Sequence, residues 1–418
     1  MIYLYAYMLL TEIQHIKRND NRYNRLMQLC HLSKNMFNAS LYIVRQHAIE
    51  YDKEVESGFD LTGKKKYLNY YDIWNLMKND NPDYKALPCH TSQRVIKQVH
   101  QAFKSFFALL KLKENGNYNK KVRWPNYMKK DGHNIVVFDQ IGKPSKEDGF
   151  ICIPTYKDLR FKTKCENVNT ISIVPKAGYL EVQFTYEKEE VPMKEDNGNY
   201  MSIDLGVSNL ASCFCNKEQS FIVDGKPLKH MNHFFNKKYA EEKSRIKTQH
   251  NLNQSKRTRY LLEKRFHKIK DYLHKASRYI INQAVSTGIN TIVVSQAKGW
   301  KQEVNMGEEN NQNFVQIPHE MFVDMLVYKG KLEGINVVRQ NESYTSLCSA
   351  LDNEEVKFHN KYIGTRIYRG LFKATKHLIN ADINGAINSL RKYLKCNCDA
   401  VMPADAGFVY NPVKVSTL

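Results

Sequence analysis

The second half of the chain alternates β-strand and α-helix patterns in an order that few folds can accommodate. Residues 201–229, MSIDLGVSNLASCFCNKEQSFIVDGKPLK, contain three strand patterns separated by turns, and a long helical pattern follows. Four more segments continue the alternation: TIVVS (291–295), HEMFVDMLVYKGKLEG (319–334), INVVRQ (335–340) and NADINGAINSLRKY (380–393). The order is β-β-β-α-β-α-β-α, which predicts a sheet covered by helices.

That order is typical of the ribonuclease H type of α/β fold, which we predict for residues 201–395. Residues 1–190 combine long helical patterns with a strand-rich region, so we expect a small β unit with a helical domain inserted into it or placed before it. The polar segment 191–200 reads as a linker, and 396–418 as a C-terminal tail. The apolar opening, MIYLYAYMLL, is too short to span a bilayer and predicts a first buried strand or helix.

The charge of the chain predicts a polyanionic partner. Sixty-three Lys and Arg against 43 Asp and Glu leave a formal net charge of +20, which is more than solubility requires. Nucleic acid is the first candidate and an anionic membrane surface the second. The nine cysteines include two close pairs, Cys213/Cys215 and Cys396/Cys398, and do not resemble a secreted disulfide framework. We therefore expect a reducing cytoplasm.

The loop NGNYNKKVRWPNYMKK (115–130) interleaves cations with aromatic rings. Its candidates for nucleic-acid contact are Lys121, Arg123, Trp124 and Tyr127. Cations neutralise phosphates and aromatic faces stack on bases, so the arrangement suits single-stranded or distorted nucleic acid. The alternative is that the aromatic residues beside the proline pin the loop to a core.

The long helical pattern after the third strand carries many cations. An apolar seam runs through Leu262, Phe266, Ile269, Leu273, Ala276 and Ile280. The other faces are basic, and we predict nucleic-acid contacts there for Arg257, Arg259, Lys264 and Lys268.

Two aspartates lie where this type of fold brings a strand end and a helix together. Asp204 ends an apolar strand beside a glycine turn, and Asp382 lies in the first turn of the last helix. Each has an ordinary alternative: Asp204 could be a turn or cap residue, and Asp382 could be favoured by the helix dipole. The pair together predicts a site at one edge of the sheet.

The motifs DLGVSN (204–209) and NADINGAIN (380–388) resemble the first and third RuvC motifs of the TnpB family, the transposon-encoded RNA-guided nucleases related to type V CRISPR effectors. The segments 87–111, 123–130 and 299–334 resemble, respectively, the recognition-lobe helix, the basic loop and the approach to the second RuvC helix of that family. The resemblance covers nearly the whole chain. It implies that residues 1–190 form a wedge β-barrel with a helical recognition domain, which grips a guide RNA and reads a short motif beside the target DNA.

For 201–395 the resemblance implies a RuvC nuclease domain with two Mg²⁺ ions about 4 Å apart, which activate water and stabilise the leaving oxygen. Asp204 would bridge both ions and Asp382 would hold one. A third carboxylate normally ends the fourth strand of the family's sheet, but Ser295 occupies that place here.

Glu342 is our candidate for the missing carboxylate. It follows the last strand, which we expect beside the strand ending at Ser295, and neighbouring strands are only about 4.8 Å apart. This arrangement resembles the TnpB subgroup with a relocated second-motif glutamate. The alternative is that Glu342 caps the turn that follows. We interpret Glu303, Glu308 and Glu309 as solvated loop residues.

The predicted insertion 343–378 departs from many relatives, which carry paired CxxC motifs there. It holds one cysteine, Cys348, with His359 and His377. We therefore expect no structural zinc, and we expect packing and the basic residues Arg366, Lys373 and Lys376 to hold the loop.

Our leading hypothesis is an RNA-guided double-stranded DNA endonuclease with Asp204, Glu342 and Asp382 as Mg²⁺ ligands. The alternative, suggested by Ser295, is a nuclease-dead RNA-guided DNA-binding protein that acts as a repressor. A strand-joining transposase is a third hypothesis. The expected partners are guide RNA and double-stranded DNA without a membrane, and the oligomeric state stays open.

Overall fold

The chain divides into two compact units, Met1–Glu189 and Glu190–Leu418, and each is described by itself. The computed structural model describes residues 7–145, 147–296, 316–396, 401–402 and 412–416. The loop acids Glu303, Glu308 and Glu309, and Cys398, lie outside the described residues. Within the described residues, no helix is long and apolar enough to cross a membrane.

The first unit contains a four-stranded antiparallel sheet, a two-stranded hairpin and four helices. The sheet has the order β1-β6-β5-β2, made of Tyr7–Lys17, Tyr179–Glu189, Val168–Pro175 and Val136–Gly142. The hairpin pairs β3, Phe150–Ile153, with β4, Tyr156–Lys162. The helices are α1 (Tyr23–Glu56), α2 (Tyr70–Met77), α3 (Pro82–Lys85) and α4 (Cys89–Glu114). All four helices therefore lie between the first and second strands of the unit.

One hydrophobic core joins the helices of this unit to its strands. α1 and α4 bury residues at spacings of three and four, as amphipathic helices do, among them Leu26, Leu29, Val95 and Val99. The prediction of a buried first strand was wrong in part. β1 alternates in exposure, and Leu9 is 63% exposed, because only one face of this strand packs on the core.

The second unit is built on a six-stranded sheet of order β11-β10-β7-β8-β9-β15. β7 (Tyr200–Leu205), β8 (Asn209–Cys215) and β9 (Phe221–Asp224) are antiparallel neighbours. β10 (Thr291–Ser295) runs parallel to β7, β11 (Asn336–Gln340) parallel to β10, and β15 (Val413–Val415) parallel to β9. The mixed α/β content agrees with the prediction.

Four helices are described in this unit: α5 (Lys226–His250), α6 (Lys256–Ser286), α7 (His319–Lys331) and α8 (Ala381–Leu394). A single helix was predicted where α5 and α6 follow each other. Between β11 and α8 the chain adds a small sheet of β12 (Thr365–Tyr368), β13 (Leu371–Lys373) and β14 (Leu378–Asn380).

Both faces of the central sheet are covered, which explains the continuous apolar runs of its parallel strands. Ile203 and Ile292 pack in a core with α6 and α7. Val293, one residue further along β10, packs on the opposite face in a core with α8. Side chains alternate between faces along a strand, so Ser202 and Asp204 lie on the α8 side.

Two of the six residues in the predicted apolar seam on α6 are not buried. Ile269, Leu273, Ala276 and Ile280 belong to the core, but Leu262 is 37% exposed and Phe266 is 45% exposed. The sheet core contacts this helix only from Ile269 onward, so its amphipathic pattern continues beyond the surface that buries it.

We expect Leu273→Ala to lower the free energy of unfolding by about 3–5 kcal/mol, because it removes core side-chain volume. Leu262→Ala, the same change on the same helix, should alter it by less than about 0.5 kcal/mol. Urea denaturation followed by circular dichroism measures both. Equal effects of the two changes would contradict this division of the helix.

Candidate active site

The predicted site lies at the carboxyl ends of three parallel strands. Asp204 on β7 is in register with Ser295 on β10, and Ser295 is in register with Gln340 on β11. Glu342 follows Gln340 by two residues. In-register residues of parallel strands point to the same face, so the three positions form a row on the α8 side of the sheet.

A close contact between β7 and α8 brings Asp382 to this row. A Cβ atom on Gly385 would lie 3.5 Å from Oδ2 of Asp204, so Gly385 packs directly on that carboxyl group. Ser202 Oγ donates to the Ala386 carbonyl at 2.7 Å. Asp382 precedes Gly385 by three residues and therefore lies on the same side of the helix, one turn nearer its start.

The Asp382 carboxylate accepts hydrogen bonds at both oxygens. Asn209 Nδ2 donates to Oδ2 at 2.8 Å, and Arg366 Nη2 donates to Oδ1 at 2.9 Å. The helix is capped by Asn380, whose side chain accepts from the Asp382 and Ile383 backbone amides. Asp382 is thus not the capping residue, and its side chain is directed to the site.

Glu342 does not cap the turn after β11 with its side chain. Asn341 does so, accepting from the backbone amide of Ser343 at 2.8 Å, while the backbone carbonyl of Glu342 accepts from Thr345. Among the described residues, none donates a hydrogen bond to the carboxyl group of Asp204 or of Glu342. Both groups are acceptors when ionised, so the site contains acceptors that a cation or a donor could satisfy.

The carboxyl group of Asp204 is influenced electrostatically by the two other acids. Burial raises the pKa of Asp204 well above its ordinary value, and the negative charges of Asp382 and Glu342 raise it further, against the opposing effect of Arg366. Burial raises the pKa of Glu342 to about 7. Perturbed carboxyl pKa values of this kind are common at functional sites.

The carboxylates are arranged too loosely to enclose one small cation. In the described parts of the chain, Asp204, Glu342 and Asp382 do not supply three oxygens that all lie within 4.8 Å of one another. Two ligands of one Mg²⁺ ion, each about 2.1 Å from it, lie at most about 4.2 Å apart.

Ser295 fills the place of the expected strand-end carboxylate. It is fully buried, and its hydroxyl has no hydrogen-bond partner within the described part of the chain. A buried hydroxyl without a partner carries a free-energy cost. The position is therefore polar, small and unsatisfied, directly beside Asp204.

Sequence reasoning did not assign four residues that shape this site. Asn209 belongs to the DLGVSN motif, which is a signal that could have identified it. Arg366 was predicted to hold the loop near where the cut strand enters, but its contact with Asp382 was not predicted. Gly385 and His319, whose Nε2 hydrogen-bonds the Gly206 carbonyl at 2.9 Å, become evident only when α7 and α8 are packed on the sheet.

The predicted nucleic-acid residues of the first unit lie on a loop that is tied to α1. Lys121, Arg123 and Tyr127 are exposed, but Trp124 packs against the hydrophobic core. Arg45 lies over the Tyr127 ring at 4.5 Å. The loop is held to the core as the alternative interpretation stated, and the Trp124 ring is used in packing.

The four predicted residues on the second unit lie on one helix. Arg257, Arg259, Lys264 and Lys268 are all exposed on α6. Arg257 and Lys264 approach the exposed Tyr260 ring at 6.0 Å and 5.8 Å. Nucleic-acid contact by these residues stays a prediction.

Two family models and a viral protein are similar in sequence to parts or most of this chain. Residues 183–301 match the OrfB_IS605 family model, described as a probable transposase, and residues 319–389 match the Cas12f1-like TNB domain. The TnpB-like protein ORF457 of Acidianus two-tailed virus is 25% identical over 429 residues, covering 91% of this chain and 86% of the viral protein.

Solved structures of similar chains are more distant. A Cas12f1–sgRNA–target DNA complex is 16% identical with a TM-score of 0.34, covering 91% of this chain and 98% of that one. Alicyclobacillus acidoterrestris C2c1 with single-guide RNA is 10% identical with a TM-score of 0.40, covering 89% and 70%. These scores do not establish a shared overall fold.

The first family model is that of a probable transposase, and the viral relative is a TnpB-like protein. The chain is similar to a TnpB-like protein over most of its length, as its sequence motifs predicted. Membership of the subgroup with a relocated glutamate stays a prediction.

We expect Glu342→Gln to stabilise the metal-free protein much more at pH 8 than at pH 5. Because the pKa of Glu342 is raised by folding to about 7, the ionised side chain opposes folding, and this cost grows as pH rises from about 4.5 through 7. The gain at pH 8 should be about 2 kcal/mol, allowing for solvent screening. Urea unfolding of both proteins at the two pH values measures it. Glu355→Gln, an exposed change nearby, is the control, and an equal gain at both pH values would contradict the raised pKa.

Proposed function

We propose that the protein is an RNA-guided double-stranded DNA endonuclease whose second unit is a RuvC domain of the ribonuclease H type. The observation that carries this proposal is the row of Asp204, Ser295 and Gln340, with Glu342 beyond it and Asp382 brought to it by α8. The sheet order supports the fold assignment, because β8 is antiparallel to β7 while β10 and β11 are parallel to it. Residues 1–190 would be the wedge barrel and helical recognition domain.

The residues present fit two Mg²⁺ ions. Mg²⁺ prefers oxygen ligands, and the site offers carboxylates that repel one another and that, at Asp204 and Glu342, lack donors within the described chain. Asp204, Glu342 and Asp382 would hold the ions. When bound, the ions would activate water and stabilise the leaving oxygen of the phosphodiester.

Two side chains would prepare Asp382 for this role. Asn209 holds one carboxylate oxygen at 2.8 Å and so orients the carboxylate plane. Arg366 holds the other oxygen at 2.9 Å, where its guanidinium offsets part of the negative charge of the site. Guanidinium groups bind phosphate well, so Arg366 would contact the DNA backbone as it enters.

Partners follow from the charge and the family. The net charge of +20 and the exposed cations of α6 suit phosphate backbones. The related Cas12f1 and C2c1 structures contain guide RNA, and the Cas12f1 structure also contains target DNA. We propose guide RNA and double-stranded DNA as the partners of this protein, in the cytoplasm.

The second candidate function is a nuclease-dead RNA-guided DNA-binding protein that represses transcription. The observation that favours it is the serine at the strand end, buried and without a partner in the described chain. We favour the endonuclease because Glu342 lies close enough to Asp204 for its charge to raise the pKa of Asp204.

We expect Glu342→Gln to reduce the rate of DNA cleavage by more than about 100-fold. Mutation of a residue that only hydrogen-bonds a metal ligand already lowers activity by about 10- to 100-fold, and Glu342 is proposed as a ligand itself. Ser295→Glu in the Glu342→Gln background should restore part of the activity, because it returns a carboxylate to the strand end beside Asp204. The measurement is Mg²⁺-dependent cleavage of a matched plasmid by the protein purified with RNA from its native locus. Wild-type activity in Glu342→Gln would remove this residue from the site, and no cutting by wild type despite target binding would favour the repressor.

We expect Arg366→Ala to slow cleavage by about 100- to 1,000-fold, as the loss of one electrostatic donor does in other active sites. Binding of target DNA should change by less than threefold, because Arg366 acts only at the site. Arg369→Ala, an exposed change on the same hairpin, is the matched control. Single-turnover cleavage and a filter-binding titration measure the two quantities, and parallel losses in both would refute the local role.

A further inference from the structure

The segment 343–378, which joins β11 to α8, contains a buried carboxylate that cross-links its backbone. Glu354 is only 4% exposed. Its Oε2 accepts from the Ser349 backbone amide at 2.6 Å, and its Oε1 accepts from the Ile363 backbone amide at 3.0 Å. One side chain therefore joins two parts of the segment that are separated by 14 residues in sequence.

The same segment is tied to the helix that carries Asp382. Asn384 and Asn388 are fully buried on α8. Asn384 accepts from the Ala350 backbone amide at 2.9 Å and donates to the Cys348 carbonyl at 2.9 Å. Asn388 donates to the carbonyls of Thr345 and Cys348. The backbone next to Ser349, one of the two donors to Glu354, is thus held against α8.

Acidic and amide side chains, which the prediction from sequence did not name, hold this segment in addition to packing and the predicted Arg366. Asp352 accepts from the Ser349 hydroxyl at 2.6 Å and from the Thr375 backbone amide at 3.0 Å. Cys348 Sγ donates to the carbonyls of Glu355 and Lys357. Arg366 contacts Asp382 and the Arg369 carbonyl, so it joins the segment to the site.

Ile363 is three residues before Arg366, at the entrance to β12. Gly364 lies between them against the Phe372 ring, where a Cβ atom would be only 2.3 Å from that ring. With Ile363 held by Glu354 and Gly364 packed on β13, the start of β12 has little room to move. Arg366 is therefore presented to Asp382 by backbone that Glu354 holds.

We propose that Glu354 is a positioning residue for the cleavage reaction, which holds Arg366 against Asp382 by cross-linking Ser349 and Ile363. The proposal rests on the proposed function. This role requires a carboxylate, because both of its oxygens accept hydrogen bonds from backbone amides. A glutamine has only one acceptor oxygen and would turn an N–H group toward the second amide.

The experiment compares Glu354→Gln with Glu355→Gln, its exposed sequence neighbour, in the full-length protein purified with RNA from its native locus. Hydrogen exchange of peptides covering residues 360–370 reports the cross-link without any cutting. Exchange there should rise about tenfold in Glu354→Gln, as expected for a lost buried hydrogen bond, and stay unchanged in Glu355→Gln. Cleavage should fall about 10- to 100-fold, with more Mg²⁺ needed for half-maximal rate and with target binding unchanged.

Glu354→Asp keeps both acceptor oxygens on a shorter side chain and should give exchange and cleavage between those of wild type and Glu354→Gln. This variant also decides the question if Glu354→Gln does not fold. Unchanged exchange and cleavage in Glu354→Gln would overturn the proposal, and so would a loss of cleavage that only follows the loss of folded protein. If wild type cuts no DNA, the proposed function fails, while the exchange comparison still shows whether Glu354 holds this backbone.

Discussion

The close packing of α8 on β7 is the contact on which the rest of the second unit depends. Gly385 has no side chain, so the helix approaches until its backbone lies against the Asp204 carboxyl group. The hydrogen bond from Ser202 to the Ala386 carbonyl fixes the same contact one residue further along. A helix placed further from the sheet would leave Asp382 out of reach of Asp204, and would also pull Asn384 and Asn388 away from the segment they hold.

That contact gathers negative charge in a partly buried place, which opposes folding. Burial and mutual repulsion raise the pKa of Asp204, and burial raises that of Glu342. The fold offsets part of the repulsion with the Arg366 guanidinium and with the N-terminal end of α8, where a negative charge is favoured. A bound cation would offset this repulsion, which is the electrostatic reason for the proposal of metal ions at this site.

The sequence predicts features that depend on neighbouring residues in the chain, but not features that depend on how distant segments pack. Asp204 and Asp382 follow from motifs, and the mixed α/β content follows from periodicity. The exposure of Leu262 and Phe266 at the start of the α6 seam could not be predicted, because an apolar stripe does not show how far the facing sheet extends. The roles of Glu354 and His319 could not be predicted either. Their hydrogen-bond partners are backbone groups 9 and 113 residues away in sequence, and only the packing of the fold brings them together. From the sequence alone, Trp124 could equally stack on a base or pack against the core. Only the position of α1 beside it shows that the ring is packed.

Parallel pairing gives a physical reason why a glutamate could move between strands. Ser295 and Gln340 are in register, so a carboxylate one strand away starts about 4.8 Å from the vacated position. Glu342 lies two residues further along, and its charge raises the pKa of Asp204. A return of glutamate to 295 beside an intact Glu342 would place a fourth carboxyl group in a site that already contains three, so the two positions should accept one glutamate between them.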